Sequence, residues 1–146
     1  MTGTCLITGG ARGIGRATAL AAARDGWDVA INYRERADAA QDVVAQARAL
    51  GRKAVAIRAD VALEADIVAM FRQAESELGP IRGLVNSAGI SFNNRVESLD
   101  AAALGRMMQV NVIGLMLCCR EAARRMSTAH GGRGGAVVNI SSMAAT

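Results

Sequence analysis

From Thr8 to Gly15 the chain reads TGGARGIG. Gly9, Gly13 and Gly15 permit positive φ angles and close approach of backbone, so free N–H groups at the start of a following helix could meet a pyrophosphate. Such a loop carries weight when a strand precedes it and a helix follows it. Further along, Asn32-Tyr33-Arg34 closes an apolar segment with no acid at its tip. An adenosine ribose with a free 2'-hydroxyl is usually met at that place by a carboxylate. Arg34, with Arg12 inside the glycine loop, would instead flank a 2'-phosphate through charge-assisted hydrogen bonds, which favours NADP over NAD. Two polar residues stand out later in the chain. Asn111 lies within MMQVNVIGLML and needs hydrogen-bond partners if that segment is buried. Ser142 follows the apolar run AVVNI, as when a core strand delivers polar side chains to a site, and its neighbour Ser141 points the opposite way on a strand.

These residues need a frame to bring them together, and the hydrophobic pattern supplies one. TCLIT (4–8) reads as a first strand, followed by a helix with Ile14, Ala17, Leu20, Ala21 and Ala23 at helical spacing and Gly26 as its stop. DVAINY (28–33) is the second strand. Asp38 is the expected N-cap of a helix that carries Val43, Val44, Ala47 and Leu50 to a stop at Gly51. AVAIRADV (54–61) is the third strand, and Ile67, Phe71, Ala74 and Leu78 mark a helix that ends at Gly79-Pro80. IRGLVNSAG (81–89) is a fourth strand running into a loop. A long helix over 100–126 follows, with Leu104, Met108, Val112, Leu115, Cys119, Ala122 and Met126 as its apolar stripe, and AVVNIS is the fifth strand. The middle of that helix is apolar nearly all round, which predicts burial on two sides, one against the sheet and one against a second subunit, hence a homo-oligomer. Alternating short strands and helices imply parallel βαβ units and a doubly wound α/β sheet. No helix follows strand five to cover it, so the sheet reads as unfinished there.

Composition excludes other classes. Half of the residues are hydrophobic (51%) and 21% are charged, as in a globular domain, and 146 residues suit a single one. The longest apolar run, 107–119, falls short of the roughly 18 residues of a membrane span and holds Gln109 and Asn111. No signal peptide is legible, so the expected location is cytoplasmic. Cys5, Cys118 and Cys119 are read as reduced apolar filler. With His130 as the one histidine, no metal site and no Ser-His-Asp triad is expected. The net charge of +4 comes from arginines scattered along amphipathic segments, with few aromatics between them, which gives nucleic-acid binding no support.

TGGARGIG, Asp60-Val61, Asn86-Ser87-Ala88-Gly89, the Asn111-Val-Ile-Gly stretch and VVNISS occur in the order and spacing of the short-chain dehydrogenase/reductase family, and the chain resembles it from Thr4 onward. Its general texture is similar to the 3-oxoacyl-carrier-protein reductase and sugar dehydrogenase branches. The resemblance implies a Rossmann fold in which Gly9, Arg12, Gly13, Ile14 and Gly15 line the pyrophosphate. Asn32, Tyr33 and Arg34 would meet the adenosine half, Asp60 and Val61 would bracket the adenine, and Asn86, Ala88 and Gly89 would run along the ribose. It implies catalytic roles for Ser142, on the oxygen of a small carbonyl or alcohol substrate, and for Asn111, which in the family holds a water of a proton relay. The substrate pocket would draw on 90–99. The family's tyrosine and lysine should follow Ser142 by about a dozen and sixteen residues, beyond Thr146. The only tyrosine and lysine present are Tyr33 and Lys53. The expected whole is thus an NADP(H)-dependent oxidoreductase whose 146 residues lack the fold's C-terminal part and cannot turn over by themselves. Two alternatives are a complete non-catalytic nucleotide-binding or regulatory protein and a structural protein that inherited the fold.

Overall fold

The computed structural model describes residues 3–92 and 95–142. Five parallel strands form one sheet in the order β3-β2-β1-β4-β5, from β1 (Thr4–Thr8), β2 (Asp28–Tyr33), β3 (Ala54–Arg58), β4 (Ile81–Asn86) and β5 (Ala136–Asn139). Five α-helices connect them: α1 (Gly13–Arg24), α2 (Ala37–Ala49), α3 (Glu64–Leu78), α4 (Ala101–Met108) and α5 (Leu115–Met126). The doubly wound α/β architecture is therefore that of a Rossmann fold. The chain steps outward from β1 to β3, then returns to place β4 on the other side of β1. In open α/β sheets that reversal opens a crevice at the carboxyl ends of the central strands.

Two apolar layers hold the sheet. Ile7, Val29, Ile31 and Val85 face Ala19, Leu20, Ala23, Val43, Val44 and Ala47 of α1 and α2. Leu6, Ala30, Ile57 and Leu84 face Ile67, Met70, Phe71 and Ala74 of α3 and Cys118, Ala122 and Met126 of α5. All five residues of β1 are buried, as a central strand covered on both faces requires. Gly26, Gly51 and Gly79 end α1, α2 and α3 with φ of 92°, 78° and 91°, so the three stops predicted from sequence hold.

Two local readings change. First, α2 begins at Ala37, with the Arg36 carbonyl accepting from Ala40 N at 3.0 Å. Asp38 is thus a first-turn residue and not the N-cap. Its carboxyl is held below its ordinary pKa by the Ala39 N–H and by Arg36, which serves the positive end of the helix as a cap would.

Second, the long helix is not uniform. Asp100 caps it, accepting from Ala103 N at 2.8 Å, but a π-helical turn (Gln109–Gly114) separates α4 from α5. The wider turn rotates everything after it, so the sheet-facing residues are Val110, Gly114, Cys118, Ala122 and Met126, while Met108 and Val112 of the predicted stripe are exposed. At Gly114 the helix presses so closely on the loop after β3 that an added Cβ would lie 2.1 Å from the Val61 carbonyl oxygen.

Beyond the π turn's effect, Met108, Val112, Ile113 and Met116 of this long helix face outward. By length and composition the helix over Ala101–Met126 could cross a membrane. Here its other face lies on the sheet, and its last turns carry a charged cluster. Buried Glu121 accepts from Arg125 at 2.6 Å, Arg124 at 2.9 Å and Arg120 at 3.2 Å, and Arg125 also reaches Glu75 of α3 at 2.8 Å while stacking over Phe71. Burial raises the Glu121 carboxyl, but the arginines, Arg125 foremost, outweigh it and hold it below its ordinary value.

Candidate active site

The glycine loop leaves β1 at the crevice and becomes α1. Arg12 precedes the first helical turn with no side-chain cap, and that turn holds no acid, so the first N–H groups of α1 face the crevice with their positive dipole end unneutralised. Gly9 has φ 61° and lies against the loop after β4, where an added Cβ would come within 2.9 Å of the Ala88 Cα. A Cβ on Gly15 would stand 2.4 Å from the Gly9 carbonyl oxygen. The loop can therefore be drawn this tight only with glycine at both positions.

Neighbouring strands hold the loop in place. Asn32, 2% exposed, accepts from Gly9 N through Oδ1 at 3.2 Å, donates from Nδ2 to Ala59 O at 3.0 Å, and receives Gly10 N on its main-chain oxygen at 2.9 Å. Thr8 Oγ1 accepts from both Ser87 N and Ala88 N at 3.1 Å, which ties the first loop to the one after β4. A cleft of about 450 Å³ lies between these loops. Of the sequence-predicted residues, Gly9, Arg12, Gly13, Ile14, Asn32, Tyr33, Arg34, Asp60, Val61, Ala88 and Gly89 line it. Ile14 is 62% exposed there.

The remaining predicted residues stand elsewhere. Gly15 acts by packing beneath the loop, behind the cleft wall. Asn86 turns its amide away, donating to Asn139 Oδ1 at 2.9 Å and contacting Cys119 Sγ at 3.4 Å. Its Oδ1 is, among the described residues, the buried side-chain oxygen without a hydrogen-bond partner. Asn111, lifted out of regular helix by the π turn, clasps the loop after β4: Ile90 N donates to its Oδ1 at 2.9 Å and its Nδ2 donates to Ile90 O at 2.7 Å. Both bonds go to loop main chain and none to the helix itself. Ser142 and Ser141 follow β5, both exposed. Of the loop 90–99, Asn93 and Asn94 lie outside the described residues.

Sequence reasoning missed three charged cleft residues. Arg106 of α4 lines the wall and grips Asp60, with Nη2 at 2.9 and 2.7 Å from its two carboxylate oxygens. Partial burial raises the Asp60 carboxyl, yet the Ala62 N–H and Arg106 outweigh it and hold it below its ordinary value. Glu35 and Arg36, just past the tip of β2, also line the cleft, and Glu35 is ion-paired with Arg34. The signal for Arg106 was the unmet need of Asp60 for a partner. For Glu35 it was simply the next residue after Asn32-Tyr33-Arg34.

The cradle that only glycine fits, the uncapped helix start and the arginines at the far lip suit the pyrophosphate and adenosine half of a dinucleotide. Comparison with known proteins agrees. The family model described as short chain dehydrogenase matches residues 3–146, and the chain belongs to that family. It is 48% identical over 140 residues to the oxidoreductase YgfF of Escherichia coli (strain K12), covering 95% of this chain and 57% of that protein. To the 3-oxoacyl-[acyl-carrier-protein] reductase FabG of Staphylococcus aureus (strain N315) it is 35% identical over 143 residues, covering 98% and 57%. A short chain dehydrogenase from Burkholderia cenocepacia J2315, solved in complex with NADP, superposes with a TM-score of 0.90 at 37% identity, over 97% of this chain and 56% of that one. The chain thus spans a little over half the length of the relatives it matches.

Proposed function

We propose that these residues form the cofactor-binding part of an NADP(H)-dependent oxidoreductase that exchanges a hydride between the nicotinamide and a small carbonyl or secondary alcohol. The observation that carries the reading is the pairing of the Gly9–Gly15 cradle with an arginine-rich lip: Arg12, Arg34, Arg36 and Arg106 line the cleft against two carboxylates, Glu35 and Asp60. The bound dinucleotide would supply the hydride chemistry. The chain supplies position. Main-chain N–H groups of α1 would hold the pyrophosphate, Arg12 and Arg34 the 2'-phosphate, Tyr33, Asp60 and Val61 the adenosine, and Ala88 and Gly89 the ribose. Asn86 would serve from behind, by fixing β4 to β5.

Ser142 would donate a hydrogen bond to the substrate oxygen and stabilise the charge that grows there. Asn111 would act on the site through Ile90, whose main chain it holds. With Tyr33 at the end of β2 and Lys53 just before β3, none of the described residues is placed to pass a proton to that oxygen, so these residues by themselves should bind NADPH without oxidising it. The exposed row Met108, Val112, Ile113 and Met116 would pair with the same row of a second copy.

The test is Arg12→Ala with Arg34→Ala, read by titration with NADPH and NADH. NADPH affinity should fall by at least tenfold more than NADH affinity, the scale of a lost charge-assisted contact of about 1.5–3 kcal/mol. Equal losses would remove the 2'-phosphate assignment.

A further inference from the structure

The loop after β3 is gripped at three successive residues by one stretch of the long helix. Arg106 in α4 donates to the Asp60 carboxylate at 2.9 and 2.7 Å, and Gln109, which opens the π turn, donates to Ala62 O at 3.2 Å. Gly114, which closes that turn, makes the close approach to the Val61 carbonyl. Gln109 and Gly114 stand one turn of i→i+5 helix apart, so the π turn is what lets both meet the same loop. An α-helical turn would swing one of them aside. From inside the π turn Asn111 reaches the other way and holds the Ile90 main chain with two hydrogen bonds. The gripped loop is braced from within, since Asp60 N donates to Asp66 at 2.9 Å and Ala62 N to Asp60 at 2.9 Å. Asp60, Val61, Arg106 and Ile90 all line the cleft. One helical segment thus joins two cleft walls that β2 and β1 keep apart in the sheet.

We propose that Arg106 and Gln109 are positioning residues that couple the loop after β3 to the loop after β4, on the reading above that the cleft receives an adenosine at Asp60 and Val61. An occupant that packs on those two residues favours the gripped arrangement of their loop, and the two stitches pass that preference to the π turn. Asn111 then holds Ile90 more firmly. The coupling is reciprocal, so whatever firms the Ile90 loop also strengthens binding at the adenosine end. Arg106 is the stronger stitch, because its ion pair with Asp60 is partly buried (33% and 22% exposed) and charge-assisted, whereas Gln109 makes a neutral amide contact.

The experiment is amide hydrogen exchange at Ile90 in wild type, Arg106→Met, Gln109→Leu and Arg106→Lys, with 5'-AMP as a probe that occupies the adenosine end alone. Exchange at Leu6, in the middle of β1, reports global opening in the same samples, so a variant that is merely less stable moves both amides together. Without ligand, Ile90 in Arg106→Met should exchange about fivefold faster than in wild type after normalisation to Leu6. Saturating 5'-AMP should slow Ile90 by about fivefold in wild type and by less than about twofold in Arg106→Met. Gln109→Leu should show a smaller change of the same sign, and Arg106→Lys, which keeps the charge without the fork, should fall between wild type and Arg106→Met. Equal slowing of Ile90 by 5'-AMP in wild type and Arg106→Met would overturn the coupling and leave the cofactor reading standing. If wild type binds neither 5'-AMP nor NADPH, the cofactor reading falls, and the ligand-free comparison decides the link: no shift at Ile90 beyond that at Leu6 overturns it.

Discussion

The two flanks of the sheet are built differently. Around β1, β2 and β3, helices lie on both faces, and the polar groups that remain inside are satisfied by specific partners, as with Asn32 and Thr8. Along β5 only the α5 side has a helix, and Val137, Val138 and Ile140 are 41%, 49% and 37% exposed. The flank that carries the glycine loop is covered on both faces within the described residues. The flank that leads to Ser142 offers an apolar strand to solvent. The chain's own packing therefore supports the flank of the glycine loop far better than the flank of β5.

Substitutions can break or sharpen that contrast. Leu6→Ala, at a fully buried position in β1, should cost about 2–5 kcal/mol in denaturant unfolding, and a loss under 1 kcal/mol would mean that the inner flank is loosely packed. Glu121→Gln should cost about 1–2 kcal/mol at pH 7, below the usual range for buried pairs because Arg124 reaches solvent. The sign with pH follows from its lowered carboxyl. The folded value lies below the unfolded one, so the contribution is complete above the ordinary value of 4.5 and fades as pH falls through the folded value. Melting temperatures of wild type and Glu121→Gln should therefore converge on acidification below pH 4.5, and a constant gap would refute the assignment.

Asn111→Ala should cost about 1 kcal/mol and speed amide exchange at Ile90, whose N–H loses its acceptor. Val138→Ala, half exposed on the open face, should change stability by less than about 0.5 kcal/mol. A Val138→Ala effect approaching that of Leu6→Ala would show that β5 is covered in solution and erase the difference between the flanks.

Much of this was legible in the sequence because local signals agreed with one another. The strand-loop-helix context of TGGARGIG, the three glycine stops and the strand runs gave the sheet and the cradle. Where they failed, a non-local partner decided. Nothing in an all-round apolar segment says where a π turn falls. That turn is set by Gly114 seating on Val61 and by Gln109 donating to Ala62 O at 3.2 Å, contacts made 47 residues apart in the second case. Arg106 and Asp60 are likewise joined only by the fold. Asp38 was misread because a good capping residue type stood in the first turn, one position past the start of the helix. Glu35 went unweighed because the expected acid belongs on the last strand position and this one follows it.

Asn32 has a consequence that is thermodynamic. One side chain joins the glycine loop to the end of β3, so the main-chain donors of that loop hold their positions before any ligand arrives. Association then forfeits little conformational entropy in the loop. Calorimetry of wild type and Asn32→Ala would show this as a more unfavourable entropy of dinucleotide binding in the variant, from a loop that must be frozen by its ligand.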